Sequence, residues 1–254
     1  MPVHRVLVCC LALTTFDCAR SPEPSREPQA DPVAPSQAEA KDEPVSALEK
    51  ARRSVTDPMP QHFERAADLE QAIVRGDFDA ARAVANELAS HRPDRYPEPW
   101  APYVLGMRAL AEDAARADDI EAMAQATGEM MGSCGACHRA LGARVVAPVE
   151  PEPQASDGDL AALMKRHRWA ATRLRAGVVE PSTEAWTQGV DAFGPLPSPT
   201  CPDDMGGERI VDVEAVRDRF HAAQEEARVV DSLEARASVY GRMLGTCAGC
   251  HTGC

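Results

Sequence analysis

Two well-separated stretches of the chain carry apolar residues at steps of three and four. In the first, Ile120, Met123, Ala124, Thr127, Met131, Cys134 and His138 share one helical face. In the second, Leu233, Arg236, Ala237, Tyr240, Leu244, Cys247 and His251 do the same, with Arg236 as the one polar break. Both stretches open on an acidic pair spaced by three, Asp118 with Glu121 and Asp231 with Glu234, which predicts a capped helix start. Weaker helical periods ahead of each stretch, punctuated by Gly and Pro, predict three further helices in each half. They cover 62–75, 78–90 and 103–115 before the stretch that begins at 119, then 160–176, 182–193 and 211–229 before the stretch 232–252. Pro93, Pro97, Pro99 and Pro102 make 92–102 a loop, and a Pro- and Gly-rich segment makes 194–207 another.

The two stretches are copies. Shifting the chain by 113 residues (247 − 134) pairs Asp118 with Asp231, Glu121 with Glu234, Ala124 with Ala237, Gly128 with Gly241 and Gly132 with Gly245. Four amphipathic helices per copy, with mostly short connections, imply an up-down bundle. The expected fold is therefore all-α: two tandem four-helix bundles at 47–145 and 159–254, joined by a Pro-rich linker at 146–158.

Each copy ends on the same chemistry. Cys134, Gly135, Ala136, Cys137 and His138 read C-x-x-C-H, as do Cys247, Ala248, Gly249, Cys250 and His251. This is the attachment signal for c-type haem. The two thiols add across the vinyl groups, and the neighbouring imidazole becomes the proximal iron ligand. On a helix the three side chains fall at i, i+3 and i+4, so a porphyrin can lie against one face. Zinc fits less well, because it needs four ligands and each motif supplies three. The expected cofactors are two covalent haem c groups, held by Cys134, Cys137, Cys247 and Cys250, with His138 and His251 on iron.

A C-x-x-C-H near the end of the last of four helices resembles the class II cytochromes c, the group of cytochrome c-prime and its low-spin relatives. The resemblance spans about 59–140 and 164–251, one module in each copy. It implies a four-helix bundle around each haem. It also implies a sixth ligand from the first helix in low-spin members, or an open, gas-binding site in five-coordinate ones. Met59 and Met164, which align with each other at the two opening helices, are the distal candidates on this basis. A soft thioether suits haem iron and raises its potential. His62 and His167, three residues further along on the same faces, are the rivals.

Composition narrows the role. Aromatic residues make up only 4% of the chain, so a large planar cofactor would supply apolar bulk that the core otherwise lacks. The formal net charge of −13 disfavours a nucleic-acid partner and suits a basic redox partner. The N-terminus, with His4 and Arg5 before a short apolar run, reads as an export signal over 1–18, with Cys18 a candidate for lipidation and membrane anchoring. Residues 19–46 read as a Pro-rich tether. Cys201 and Cys254 remain, and in an oxidising compartment they can pair. Trp100, Trp169 and Trp186 are expected in the bundle core, and His91 and His221 at surface or cap positions. The expectation is an exported, periplasmic di-haem electron-transfer protein and not an enzyme, with a gas-binding sensor or scavenger as the alternative. Whether it forms a homodimer stays open.

Overall fold

A computed structural model of the chain describes residues 59–91, 96–143, 149–154, 159–194 and 212–252, together with isolated positions between 49 and 57 and at 145. The described residues are all-α, with no strand among them. In chain order the helices are α1 (Met59–Val74), α2 (Phe78–Ser90), α3 (Ala101–Arg116), α4 (Ile120–Leu141), α5 (Leu160–Val179), α6 (Thr183–Ala192), α7 (Val213–Ala227) and α8 (Leu233–Thr252). A short 3₁₀ turn, Glu98–Trp100, leads into α3.

The expected boundaries hold to within three residues throughout, and the largest shifts are at the α1 start, 59 where 62 was expected, and the α5 end, 179 where 176 was expected. Helix α1 runs through Met59 and Pro60, the first turn being the one place where a proline lacks no hydrogen bond. Gly76, at φ +69, ends it. The caps of the motif helices correct the sequence reading by one residue. Asp119, not Asp118, accepts from the Ala122 amide at 2.7 Å, and Ser232, not Asp231, accepts from the Ala235 amide at 3.1 Å. A cap must sit three residues before the amide it takes, and the aspartates at 118 and 231 lie one step too early.

Successive helices run antiparallel. Arg82 at the start of α2 donates to the Ala117 carbonyl beyond the end of α3, while Arg108 midway along α3 donates to the Ala89 carbonyl near the end of α2. In the second half, Trp186 of α6 donates to the Ala227 carbonyl at the end of α7, and Gln224 reaches back to Val190. This order brings the start of α1 and the end of α4 to the same end of their run, and the start of α5 and the end of α8 likewise. Of the three tryptophans expected in the core, only Trp186 is buried; Trp100 and Trp169 are half-buried at its margin.

The most extensive helix contact joins the two repeats, α4 against α8. They cross antiparallel at paired glycines. A Cβ built on Gly128 would stand 2.4 Å from the Ala237 carbonyl and 2.7 Å from Gly241 Cα, and one on Gly241 would stand 2.9 Å from the Ala124 carbonyl. Gln125 Nε2 donates to Ser238 Oγ at 3.3 Å, a bond between residues 113 apart. Equivalent residues thus meet each other, as across the two-fold axis of a dimer. The same holds between α1 and α5, which align at a shift of 105. Arg175 donates to Glu70 at 2.8 Å, and Glu70 also accepts from the Tyr240 hydroxyl at 2.6 Å. Residues Pro44–Cys254 form one compact unit, with an apolar core that runs through both repeats.

Candidate functional site

Each motif occupies the last turns of its long helix. Cys134, Cys137 and His138 lie half-buried on α4, and Cys247 and Cys250 half-buried on α8 with His251 exposed. All four cysteines are free thiols. Burial of the sulfur pushes the Cys134 thiol up to about 11 and the Cys247 thiol up to about 12. Cys137 and Cys250 are raised by the same cause, opposed at Cys250 by the nearby Arg219 guanidinium. Among the described residues no three His, Cys, Asp or Glu side chains converge as ligands for a metal ion. The motif residues are instead spread along one helical face, as i, i+3 and i+4 dictate.

His138 is held from the other repeat. Its Nδ1 lies 2.8 Å from the Val179 carbonyl at the end of α5. A carbonyl only accepts, so Nδ1 carries the proton and Nε2 keeps its lone pair. A ligating histidine is arranged in this way when its second nitrogen is fixed from behind. No residue pattern signals this partner in advance, because a backbone carbonyl belongs to every residue type.

The distal candidates sit on the first helix of each repeat. Met59 and Met164 are half-buried, and His62 and His167 follow one turn on. His62 is stacked edge-on against His91, at the end of α2, with ring centroids 4.2 Å apart; His167 meets Phe193, just beyond α6, at 5.4 Å. His91 therefore fills the cap position expected of it, but its ring is part of a pair. The Nε2 atoms of His62, His91 and His167 are buried without a hydrogen-bond partner. Burial, aided by His91, lowers the His62 pKa to about 4, and burial, aided by Arg166, lowers that of His167 to about 4, so both rings are neutral near pH 7. Among the described residues no hydrogen bond or ring contact joins Met59, Met164, His62 or His167 to a motif residue.

A cavity of about 220 Å³ opens beside the first pair, lined by Gln61, His62, Glu64, Arg65, Glu87, Leu88 and His91. A second, of about 300 Å³, lies between α4, α7 and α8 and includes Arg219, Arg242 and Thr246. Neither is lined by a motif cysteine or histidine. Phe63 near the start of α1 and Leu105 near the start of α3 are exposed at the end of the run that carries the first motif. Cys18, Cys201 and Cys254, the export signal, the tether and most of the linker lie outside the described residues, and no described helix is long and apolar enough to cross a membrane.

No protein-family model, no curated protein and no solved structure matches this chain.

Proposed function

We propose that the protein is an exported di-haem c-type cytochrome that carries electrons, built from two tandem four-helix modules of the class II type. The observation that carries this reading is the repeated C-x-x-C-H at equivalent ends of two similar helices, with free half-buried cysteines beside a histidine whose Nδ1 is already engaged. Cys134, Cys137, Cys247 and Cys250 would hold the two groups covalently, which prevents their loss outside the cell. His138 and His251 would bind iron through Nε2. Haem supplies a one-electron Fe(III)/Fe(II) couple, and the chain supplies ligands, burial and orientation.

The orphaned Nε2 atoms of His62 and His167 fit this group. A buried lone pair without a donor is costly unless something fills it, and iron would do so. They strengthen the histidines against Met59 and Met164 as sixth ligands. Exposed Phe63 and Leu105 would gain an apolar cover from a porphyrin at that end. An occupied sixth position favours an electron carrier over a gas-binding protein. A chain of net charge −13 would attract donor and acceptor proteins with basic docking faces. The 1–18 signal would send it to the periplasm. Lipid on Cys18 would anchor it through the 19–46 tether, and Cys201 would pair with Cys254.

A denaturing gel stained for haem peroxidase activity, with an alkaline pyridine spectrum for the count, tests the reading. The expected result is a stained band carrying two haems per chain. A colourless band from a host able to attach haem c would overturn it.

A further inference from the structure

His138 and His251 occupy equivalent positions, yet their surroundings differ. The His138 ring is tied to the Val179 carbonyl at 2.8 Å. The His251 ring is exposed, and among the described residues it has no hydrogen-bond partner. The cause is visible in the two spacers. The first motif carries Gly135 then Ala136, the second Ala248 then Gly249, so the glycine has changed place.

Gly135 is buried against the end of α5. A Cβ there would stand 2.0 Å from the Val178 carbonyl oxygen, a distance no methyl group tolerates. Glycine alone lets α4 approach α5 closely enough for His138 to reach the next carbonyl. At the equivalent position Ala248 carries a methyl group that is wholly buried. The second motif's glycine, Gly249, faces α7 instead, where a Cβ would stand 3.1 Å from Val216 Cγ2. The same pentapeptide thus leans on a first helix in one repeat and on a third helix in the other.

A carbonyl that accepts from Nδ1 makes the imidazole a stronger base at Nε2. A stronger base stabilises ferric over ferrous iron and lowers the potential. At the second motif Arg219, one turn along α7 from Val216, is close enough to act on Cys250; it is exposed and paired with Glu121 at 3.2 Å. A positive charge there favours the reduced, less positive iron.

We propose that the two motifs are inequivalent by construction, and that His138, fixed by the Val179 carbonyl through the close approach at Gly135, gives its haem the lower potential of the two. The inference rests on the reading of both motifs as haem sites. At equilibrium an electron from a one-electron donor protein resides at the second site, reducing Fe(III) to Fe(II) there. It leaves when an acceptor protein reoxidises that iron.

The test is a reductive titration of the intact di-haem protein, followed by absorbance. Two separate one-electron waves are expected. Gly135→Ala pushes α5 away, so it should raise the lower wave and leave the upper in place. Arg219→Gln, a change at an exposed side chain that does not threaten folding, should lower the upper wave alone; it assigns the waves even if Gly135→Ala does not fold. A single wave for both haems, a Gly135→Ala protein with neither wave moved or with the upper one moved, or an Arg219→Gln shift of the lower wave, would each overturn the proposal. Failure of the haem stain would instead remove the reading beneath it, and the two failures are told apart before any potential is measured.

Discussion

At the seam between the repeats, equivalent residues touch each other: Gly128 meets Gly241, Gln125 bonds Ser238, and Glu70 bonds Arg175. At the motif ends, equivalent residues touch different things. His138 meets a carbonyl and His251 meets solvent; His62 stacks on His91 and His167 on Phe193. The contrast follows from geometry. A residue on the axis must accommodate its own counterpart, so it stays small or becomes complementary. A residue away from the axis has a neighbour of its own, so the two copies are free to drift apart. At the seam equivalent residues stay in mutual contact, and at the sites they meet unlike neighbours.

The seam should break first at its charged centre. Glu70 and Arg175 side chains are 11% and 14% exposed, so Arg175→Ala leaves a buried carboxylate with Tyr240 as its remaining hydrogen-bond partner among the described residues. We expect a loss of about 3 kcal/mol in urea unfolding followed by helix ellipticity. The paired apolar change Glu70→Leu with Arg175→Met should recover most of it, and an equally large loss in that double variant would show that packing, not charge, holds the centre. Next comes the glycine crossing. Gly128→Ala should cost about 2 kcal/mol, because backbone on the facing helix cannot give way. Gly106 in α3 is the control: among the described residues, no atom outside its own helix and chain neighbours lies within 4 Å of a Cβ placed there, and Gly106→Ala should stabilise by about 0.5 kcal/mol.

The smallest expected effect tests the divergence at the ends. The pKa of His62 in the folded chain is depressed from 6.5 to about 4, chiefly by burial and secondarily by His91. Its contribution to stability is present above pH 6.5 and lost as pH falls towards 4. His91→Phe gives the first repeat the neighbour that His167 already has. The acid loss between pH 6.5 and 4 in the haem-free chain should then become slightly shallower. An unchanged or steeper slope would show that His91 does not press on His62.

Much of this was legible in the sequence. Helix spacing and Gly and Pro punctuation placed the eight helices described from Met59 onward, because amphipathic period and chain breaks are local properties. The caps slipped by one residue, since Asp118 and Asp119 look alike in a string and only the reach to the Ala122 amide separates them. The motifs were plain, but their unlike surroundings were not. Val179 enters through its backbone, which no side-chain pattern encodes. Glu70 and Arg175 escaped notice for another reason. The first helices align at a shift of 105 and the last at 113, so no single offset displays both halves of the seam.

The Glu70–Arg175 contact carries a further consequence. Were the chain made of one half used twice, glutamate would face glutamate, or arginine would face arginine, at a largely buried point of the seam. Neither arrangement can neutralise itself. The two halves have become lock and key to one another, so neither can be discarded and replaced by a second copy of its twin. A chain with a repeated sequence thus has a fixed left and a fixed right.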